Sequence, residues 1–323
     1  MQGGLEYHEL HRGGRTSWWR ALIGVLVLLL NFLGFMFLPL LLLAVFAVWF
    51  IAHGTSYDAA IDQISGDHVT PTSLAFLNLV LASAIPTVML LTYVLHGWLK
   101  PGWIASVVGR MRWLWMLICL GLSVIALLAT LVVSALLPSA GDAGDVGGHL
   151  NHFTSTTLQF GLVILFLTPL QAAGEEYAFR GYLTQAVGGL ARGRWGRWVA
   201  IVVPALLFAL AHGAQDAPVF FDRFAFGLVA GVLVIATGGL EAGIAMHVLN
   251  NFLAFGLALL FGNMTDALNA SGGSWWMIPS TLTQSLVYLG LVTFVARRLG
   301  IATRTPGSTA GSATVLVGQS PSV

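Results

Sequence analysis

Charged residues are scarce in this chain of 323 residues. Asp, Glu, Lys and Arg together make up 8% of the sequence, against about 25% in an average soluble domain. Hydrophobic residues make up 57%. This composition excludes a soluble globular protein and indicates an integral membrane protein. The apolar runs are too long and too many for a signal peptide or for the alternating strands of a membrane β-barrel.

Cysteine is almost absent as well. Cys119 stands alone inside an apolar run, which excludes an intramolecular disulfide and a cysteine metal site and predicts a small buried hydrophobic side chain. The formal net charge is +1, and no segment gathers basic residues in the way that binding to a phosphate backbone requires. We therefore predict no nucleic-acid partner.

Long apolar runs dominate what is present. A helix needs about 20 apolar residues to cross the hydrocarbon core of a bilayer, so the sequence predicts an all-α, polytopic transmembrane helical bundle of about eight membrane spans. The predicted spans are 21–52, 72–98, 113–137, 157–189, 197–213, 223–238, 239–262 and 280–297. The first is long enough to tilt or to kink at Pro39, and only "GGLE" separates the sixth from the seventh.

Basic residues set the predicted orientation, because they concentrate on the cytoplasmic side of membrane proteins. With eight spans, one side receives thirteen of the fourteen Lys and Arg residues: Arg12, Arg15, Arg20, Lys100, Arg110, Arg112, Arg180, Arg192, Arg194, Arg197, Arg297, Arg298 and Arg304. Only Arg223 falls on the other side, where the loops carry aspartates instead. Both termini are therefore predicted to be cytoplasmic.

The sequence divides into four predicted regions. Residues 1–20 form a cytoplasmic or interfacial segment, and residues 21–152 carry the N-terminal transmembrane helices. Residues 153–300 carry the later helices and the most concentrated polar groups. Residues 301–323 are small, polar and without periodicity, which predicts a disordered cytoplasmic tail. No internal repeat of the kind found in many transporters is evident.

Two adjacent glutamates in "GEEYAFRG" are the least expected residues in such a chain, because a carboxylate near membrane depth must be paired, solvated or protonated. Glu176 and Arg180 are four residues apart with the acid first, which favours an ion pair on one helix face. Glu175 points about 100° away from Glu176 and has no obvious partner on its own helix. We predict that Glu176 and Arg180 support the site and that Glu175 is free for chemistry.

A depth argument provides a partner for Glu175. If the fourth and fifth spans form an antiparallel hairpin that turns inside "ARGRWGR", then His212 lies level with Glu175. The basic and glycine residues of that stretch independently predict a cytoplasmic turn there. The argument requires the fourth helix to continue beyond Glu175 through "YLTQAVGG".

His247 and Asn251 are also four residues apart and project from one face of the seventh span. A carboxylate beside an imidazole can deprotonate a water molecule, directly or through a bound metal. A neighbouring His and Asn can donate hydrogen bonds to the oxyanion of a tetrahedral intermediate. Amide hydrolysis therefore uses every member of the set, although the residues alone equally favour a proton or ion pathway.

Other catalytic mechanisms of hydrolysis have less support in the sequence. The sequence has no Gly-x-Ser-x-Gly nucleophile elbow, and Cys119 is remote from these residues. Its Asp residues lie in loops or at span ends. The zinc-binding helix motif His-Glu-x-x-His is absent.

Three motifs in these residues resemble the CPBP (CAAX protease and bacteriocin-processing) intramembrane proteases, also called the Abi family. The pattern of this family is Glu-Glu-x-x-x-Arg, then Phe-x-x-x-His, then His-x-x-x-Asn. The chain has "EEYAFR", "FALAH" and "HVLNN", in that order and on three separate predicted spans. The resemblance covers residues 175–251, identifies 153–300 as a CPBP-type catalytic domain, and extends to the CAAX prenyl protease 2 branch through the predicted eight spans.

The resemblance implies an intramembrane endopeptidase and a role for each motif residue. Glu175 would activate water with His212 beside it, while His247 and Asn251 would bind the oxyanion or a metal. The remaining motif residues would support the site: Glu176, Arg180 and Phe208. The family is commonly named a metalloprotease, yet a metal-free mechanism that depends on glutamate is also advocated. A divalent metal such as zinc would take Glu175, His212 and His247 as ligands; the alternative needs no cofactor.

The predicted substrate is a membrane-associated or lipidated peptide that enters from the cytoplasmic side or laterally from the bilayer. The best-understood family members cleave prenylated CAAX peptides, while bacterial relatives are associated with bacteriocin maturation or self-immunity. Richness in Ala, Gly and Leu and a preference for Arg over Lys indicate a bacterial plasma membrane protein. The alternatives are a proton-coupled membrane transporter and a non-catalytic bacteriocin-immunity or scaffold protein.

Overall fold

The fold of the chain is a bundle of helices. A computed structural model describes residues 4–65, 68–137, 149–193, 195–213, 215–269 and 272–306, and these residues form helices and no strand. The α-helices are α1 Trp18–Phe32, α2 Phe37–Ala52, α3 Tyr57–Ser65, α4 Pro71–Ala82, α5 Ala84–Leu95, α6 Trp113–Ser134, α7 Ser155–Phe166, α8 Thr168–Glu176, α9 Thr184–Leu190, α10 Gly196–Leu210, α11 Ala217–Thr237, α12 Glu241–Phe261, α13 Met264–Leu268 and α14 Met277–Arg298. Two 3-10 helices, Tyr7–Gly13 and Pro101–Ile104, and a π-helix, Tyr177–Leu183, complete the list.

The helices confirm the all-α polytopic bundle. Seven candidate spans are long and apolar enough to cross a membrane: Trp18–Ala52, Pro71–Leu95, Trp113–Ser134, Ser155–Leu190, Ala217–Thr237, Glu241–Phe261 and Met277–Arg298. The remaining predicted span, 197–213, corresponds to α10, an apolar helix of 15 residues that is shorter than the others. The total of eight spans and the cytoplasmic termini stay predictions.

The first span is broken, but not at the predicted residue. Its two helices meet at residues 33–36, where Gly34 has φ +84°, a left-handed conformation that glycine adopts without strain. Pro39 is the third residue of α2. A proline interrupts no intrahelical hydrogen bond there, because the first four N–H groups of a helix have no partner within it. The predicted kink at Pro39 is therefore wrong.

Contacts between loops and helix ends define two faces of the bundle. At one face Arg112 pairs with the buried Glu241 at 2.7 Å, and the amide of Val107 donates to the carbonyl of Gly238. We call this the basic face, and it gathers these helix ends: Trp18, Leu95, Trp113, Leu190, Gly196, Thr237, Glu241 and Arg298. At the opposite face Ser134 contacts Ser280. The two sets match the sides that the basic residues predict.

The N-terminal segment covers the basic face. The 3-10 helix Tyr7–Gly13 buries the side chain of Tyr7 completely, and the tyrosine hydroxyl donates to the carbonyl of Ile104. Thr305 donates its backbone N–H to Leu5 at 2.9 Å, so residues 301–306 extend the folded bundle. The predicted tail lies outside the described residues from 307 onward. A short polar stretch gives no sequence signal for such a covering role.

Glu6 links the N-terminal segment to α10 and to residues 301–306. Its carboxylate accepts hydrogen bonds from Arg197 at 2.6 Å and from Arg304. Burial raises the pKa of this carboxyl, but the hydrogen bond and charge of Arg197 and the charge of Arg304 outweigh burial and hold the pKa below its usual range. The stabilisation from this cluster is therefore present at neutral pH and is lost as the pH falls through the lowered pKa.

Gly174 allows α4 and α8 to pack closely just before the paired glutamates. A Cβ atom added at Gly174 would overlap the carbonyl oxygen of Leu81 and lie 2.9 Å from Cα of Ala82. Both neighbours are backbone atoms, so they cannot move without a shift of the whole helix. The position of Glu175 consequently depends on the absence of a side chain at residue 174.

We expect Gly174→Ala to lower the free energy of unfolding by about 1–3 kcal/mol, the usual cost of overpacking. Gly161→Ala in α7 is the matched control, because no atom lies within 4 Å of the Cβ that it adds. The control should be neutral or gain up to about 1 kcal/mol from improved helix propensity. Thermal unfolding in detergent compares the two, and equal melting temperatures would contradict the close packing.

Candidate active site

The fourth predicted span continues past the paired glutamates, as the depth argument requires. Helix α8 ends at Glu176, the π-helix Tyr177–Leu183 follows without a break, and α9 runs to Leu190. Helix α9 ends at Leu190 and α10 begins at Gly196, on either side of the position where the sequence predicts the turn. Single π-turns are uncommon inside helices, and those that occur are often found at functional sites. Nothing in the residue pattern of "YAFRGYL" predicts this one.

Glu176 is the structural anchor of the site, and its pairing with Arg180 is confirmed. Nη1 of Arg180 donates to Oε1 of Glu176 at 3.0 Å, and both side chains are buried. The same oxygen accepts a second hydrogen bond from Nδ1 of His247, also at 3.0 Å. Glu176 thus joins the π-helix to α12 and fixes the orientation of the His247 ring.

Aromatic rings enclose this ion pair. The guanidinium of Arg180 lies over the ring of Phe208 at 4.1 Å, a favourable cation–π geometry. The ring of His247 contacts Phe208 and Phe226 edge to face, with centroids 5.9 and 5.3 Å apart. Phe208 therefore supports the site by packing. Phe226 has the same function, but its sequence signal is only that of an apolar residue in a helix.

Glu175 has a partner on its own helix, contrary to the sequence interpretation. Nε2 of Gln171, one turn earlier, donates to Oε1 of Glu175 at 2.5 Å. Oε1 of Gln171 accepts from Nδ2 of Asn251 at 3.0 Å. Asn251 therefore reaches Glu175 through Gln171. The spacing of four residues between Gln171 and Glu175 is the signal that the sequence interpretation missed.

The second oxygen of Glu175 faces His247. Oε2 lies 3.6 Å from Nε2 of His247 and is one of the buried atoms without a hydrogen-bond partner among the described residues. Nδ1 of His247 donates to the Glu176 carboxylate, so Nε2 is the ring nitrogen that faces Oε2 of Glu175. In a neutral imidazole this nitrogen is an acceptor, and a water molecule beside the two atoms can then donate to both.

His212 lies two residues beyond the end of α10 and beside the same cluster. Its Nδ1 donates to the carbonyl of Phe208 at 2.8 Å, which leaves Nε2 as an acceptor, and its ring lies 4.7 Å from that of Phe208. His212 is connected to the cluster through Phe208, whose ring also contacts Arg180 and His247. That His212 lies level with Glu175 stays a prediction. In the described part of the chain, however, the hydrogen bond of His212 goes to Phe208 rather than to Glu175.

A second basic residue stands near the site and was not among the predicted site residues. Nη1 of Arg223 donates to Oε1 of Gln215 at 2.5 Å, and Nε2 of Gln215 donates to the carbonyl of Ala209, three residues before His212. Arg223 is half-buried in the first turns of α11. Its sequence signal was its isolation, as the one basic residue on the side opposite all the others.

The predicted metal ligands do not form a preassembled site. Over the residues that the structure describes, no group of three or more His, Cys, Asp or Glu side chains is arranged to hold a metal ion. Glu175 and His247 face each other, but His212 does not complete a ligand set with them.

The region that carries the candidate site resembles a known protein family. Residues 156–253 match a family model described as Type II CAAX prenyl endopeptidase Rce1-like. This range contains every predicted site residue, and the match supports a protease type of hydrolase. No solved structure matches the chain.

Two relatives resemble part of the chain. The uncharacterized protein YyaK of Bacillus subtilis (strain 168) is 28% identical over 138 residues, which cover 39% of this chain and 45% of the relative. An uncharacterized 24.3 kDa protein of Escherichia coli is 33% identical over 102 residues, which cover 31% of this chain and 43% of the relative. Each match spans less than half the length of the relative. The chain is thus an integral membrane protein whose residues 156–253 resemble the Rce1-like type II CAAX prenyl endopeptidases.

Proposed function

We propose that this protein is an intramembrane endopeptidase that hydrolyses a peptide bond of a membrane-associated or lipidated peptide. The observation that carries the proposal is the approach of Oε2 of Glu175 to Nε2 of His247, 3.6 Å apart in a buried polar cluster. With a neutral imidazole, a water molecule beside the two atoms donates one hydrogen bond to each. The Rce1-like family match supports the reaction class.

Glu175 acts as the general base in this mechanism. It takes a proton from the water, whose oxygen attacks the carbonyl carbon of the substrate and forms a tetrahedral intermediate. The C–N bond then breaks, the proton passes from Glu175 to the leaving amine, and the new carboxyl terminus retains the water oxygen. Gln171 holds the carboxylate of Glu175 in the orientation that this transfer needs.

The oxyanion needs donors, and Asn251 has one available. Its side-chain amide has two hydrogens, and one of them is used on Gln171. The other is available for the oxyanion, as the family resemblance implies. His247 takes a role different from the predicted one, because its free nitrogen faces Glu175 and shares the water. His212, whose ring packs against Phe208, is proposed to assist at the same water.

Gln171 provides a test of this arrangement. We expect Gln171→Leu to lower kcat by about 10- to 100-fold with little change in KM, because the variant binds substrate but leaves Glu175 and Asn251 without their shared partner. Gln185→Leu is the matched control, since Gln185 is equally buried and donates to the carbonyl of Trp103. Steady-state cleavage kinetics give kcat and KM for both variants. Equal losses of kcat in the two variants would contradict a positioning role for Gln171.

The function itself is tested by presenting purified protein with a library of membrane-tethered peptides. Wild type and His212→Ala are compared with and without a chelator, and fragments are identified by mass spectrometry. We expect cleavage by wild type and a large loss in the variant. Loss of cleavage with the chelator would require a metal that completes the Glu175, His212 and His247 set.

The two alternatives predict other outcomes of the same preparation. A proton-coupled transporter would give no fragments, and a pH gradient would drive solute uptake into proteoliposomes. A non-catalytic immunity or scaffold protein would give neither fragments nor uptake.

We propose the bacterial plasma membrane as the location, which agrees with relatives in Bacillus subtilis and Escherichia coli.

A further inference from the structure

Two histidine side chains stack on each other where the N-terminal segment, residues 5–16, covers the basic face. His11, in the 3-10 helix Tyr7–Gly13, and His96, directly after α5, have ring centroids 3.7 Å apart and an interplanar angle of 17°. Both side chains are buried, His11 completely. The ring of Tyr182 lies edge-on to both, with centroids 5.4 and 5.7 Å away. This histidine cluster joins the N-terminal segment, the end of α5 and the π-helix.

The two histidines differ in their hydrogen bonds. Nδ1 of His96 lies 2.9 Å from the carbonyl of Arg15, and its Nε2 lies 3.2 Å from the hydroxyl of Tyr182. Both ring nitrogens of His11 lack a hydrogen-bond partner among the described residues. A neutral imidazole has one N–H donor and a protonated one has two. A proton on His11 would therefore add a second unpaired donor and a charge at a completely buried position, which is costly.

The surroundings of His11 contain no group that would offset this charge. Helix α9, on which the segment packs, has no ionisable side chain, and neither do residues 227–237 of α11, its half at the basic face. Glu9 of the same segment is already paired with Arg12 at 2.7 Å. Burial and the neighbouring His96 hold the pKa of His11 well below its usual range.

The other ionisable groups at this contact are His8, Glu9, Arg12 and Arg15 of the segment, Arg20 of α1, His96 after α5, Tyr182 of the π-helix, and Glu6 with its partners Arg197 and Arg304.

The docked segment fits the bundle too closely to adjust around such a charge. A Cβ atom added at Gly188 of α9 would lie 2.2 Å from the carbonyl oxygen of His8, and one added at Gly14 would lie 2.0 Å from the carbonyl oxygen of His96. Arg12 also donates to the carbonyls of Gly188 and Ala191 at 2.6 and 2.7 Å. The segment is therefore either docked with a neutral His11 or displaced as a unit.

We propose that the N-terminal segment is a proton-sensitive cap, which covers the basic face while His11 is neutral and leaves it when His11 binds a proton. In the released segment His11 is in water and has the ordinary pKa of a histidine, about 6.5. The docked state is thus favoured above that pH, and its advantage falls by about tenfold for each pH unit below it. Release would expose Tyr182, which belongs to the π-helix that carries Arg180. The inference goes beyond the proposed function and does not depend on it.

Hydrogen–deuterium exchange of the full-length protein in detergent measures the opening of the cap. The amides of Gly14 and Arg15 donate to the carbonyls of His11 and His96, so they exchange when the segment leaves. The opening constant is measured one unit above and one unit below the usual pKa of histidine, at about pH 7.5 and 5.5, and corrected for the intrinsic effect of pH on exchange. Glu6 stays ionised at both values, since its pKa is held below the usual range despite burial. Peptides from α12 report opening of the whole bundle.

We expect the opening constant of the wild-type segment to rise by at least about tenfold at the lower pH, without an equal rise in the α12 peptides. His11→Phe keeps a ring against His96 but binds no proton, so its rise should be smaller than that of wild type by about tenfold. Overpacking by the larger ring would increase opening by the same factor at both pH values. His152→Phe, at an exposed histidine outside the segment, is the matched control and should behave as wild type.

Equal rises in wild type and His11→Phe would overturn the role of His11. An opening constant in wild type that does not change with pH, or one that changes only together with the α12 peptides, would overturn the cap itself. Exchange needs no catalysis, so the outcome is independent of whether the protein cleaves peptides.

Discussion

Replacement of Glu175 by glutamine is expected to reduce peptide cleavage by about 10³-fold or more while leaving the fold intact. The amide cannot accept a proton from water, so the general base is lost, a step that typically contributes about 10²- to 10⁴-fold to a rate. The amide keeps the shape of the side chain, and its oxygen can still accept from Gln171. Initial cleavage rates and a detergent melting curve measure the two effects.

Glu9→Gln is the control for this variant. Glu9 pairs with Arg12 in the N-terminal segment and is remote from the polar cluster. The control should retain the wild-type rate, because it removes a carboxylate of the same size without contact with the site. A rate for Glu175→Gln within a few-fold of that of Glu9→Gln would contradict the role of Glu175 as the base.

Replacement of Arg180 by methionine is expected to lower the free energy of unfolding by about 3–5 kcal/mol. The change leaves the fully buried carboxylate of Glu176 with His247 as its partner, and an uncompensated buried charge is costly. Methionine fills much of the space over Phe208, so little of the loss comes from a cavity. Thermal unfolding in detergent gives the magnitude.

The double variant Glu176→Gln with Arg180→Met separates charge from packing. It removes both charges of the buried pair, and such replacements are often close to neutral. We therefore expect it to recover most of the melting temperature that Arg180→Met loses. A double variant less stable than Arg180→Met would show that the hydrogen bond from His247 to Glu176 contributes more to stability than the charge balance does.

The features that the sequence predicts correctly are those that depend on regular helix geometry. Spans follow from the length of apolar runs, and the Glu176–Arg180 pair follows from a spacing of four residues. The start of α10 at Gly196, after residues 191–193, follows from the glycine and basic residues of that stretch. These relations hold because a helix has a fixed rise and rotation per residue.

The features that the sequence does not predict depend on contacts between distant segments or on local departures from the helix. The π-helix Tyr177–Leu183, the packing of Phe226 on His247, and the burial of the N-terminal segment belong to this group. Glycine rather than proline marks the break in the first span, because Pro39 lies where a helix tolerates it. Gln171 is an intermediate case. Its spacing of four residues from Glu175 is visible in the sequence, but a glutamine alone does not indicate a catalytic partner.

The closed basic face connects the fold to the proposed chemistry. Burial of residues around Glu175 keeps bulk water from the site, so polar interactions there are stronger than in solution.

The central claim is that Glu175 activates water for peptide hydrolysis. Its most direct measurement is a single-turnover cleavage of a membrane-tethered peptide in H₂¹⁸O, with wild type and Glu175→Gln side by side and the new carboxyl terminus weighed by mass spectrometry. The account predicts one ¹⁸O atom in the wild-type product and no product from Glu175→Gln over the same time. A wild-type product without ¹⁸O, or product from Glu175→Gln at the wild-type rate, would contradict it.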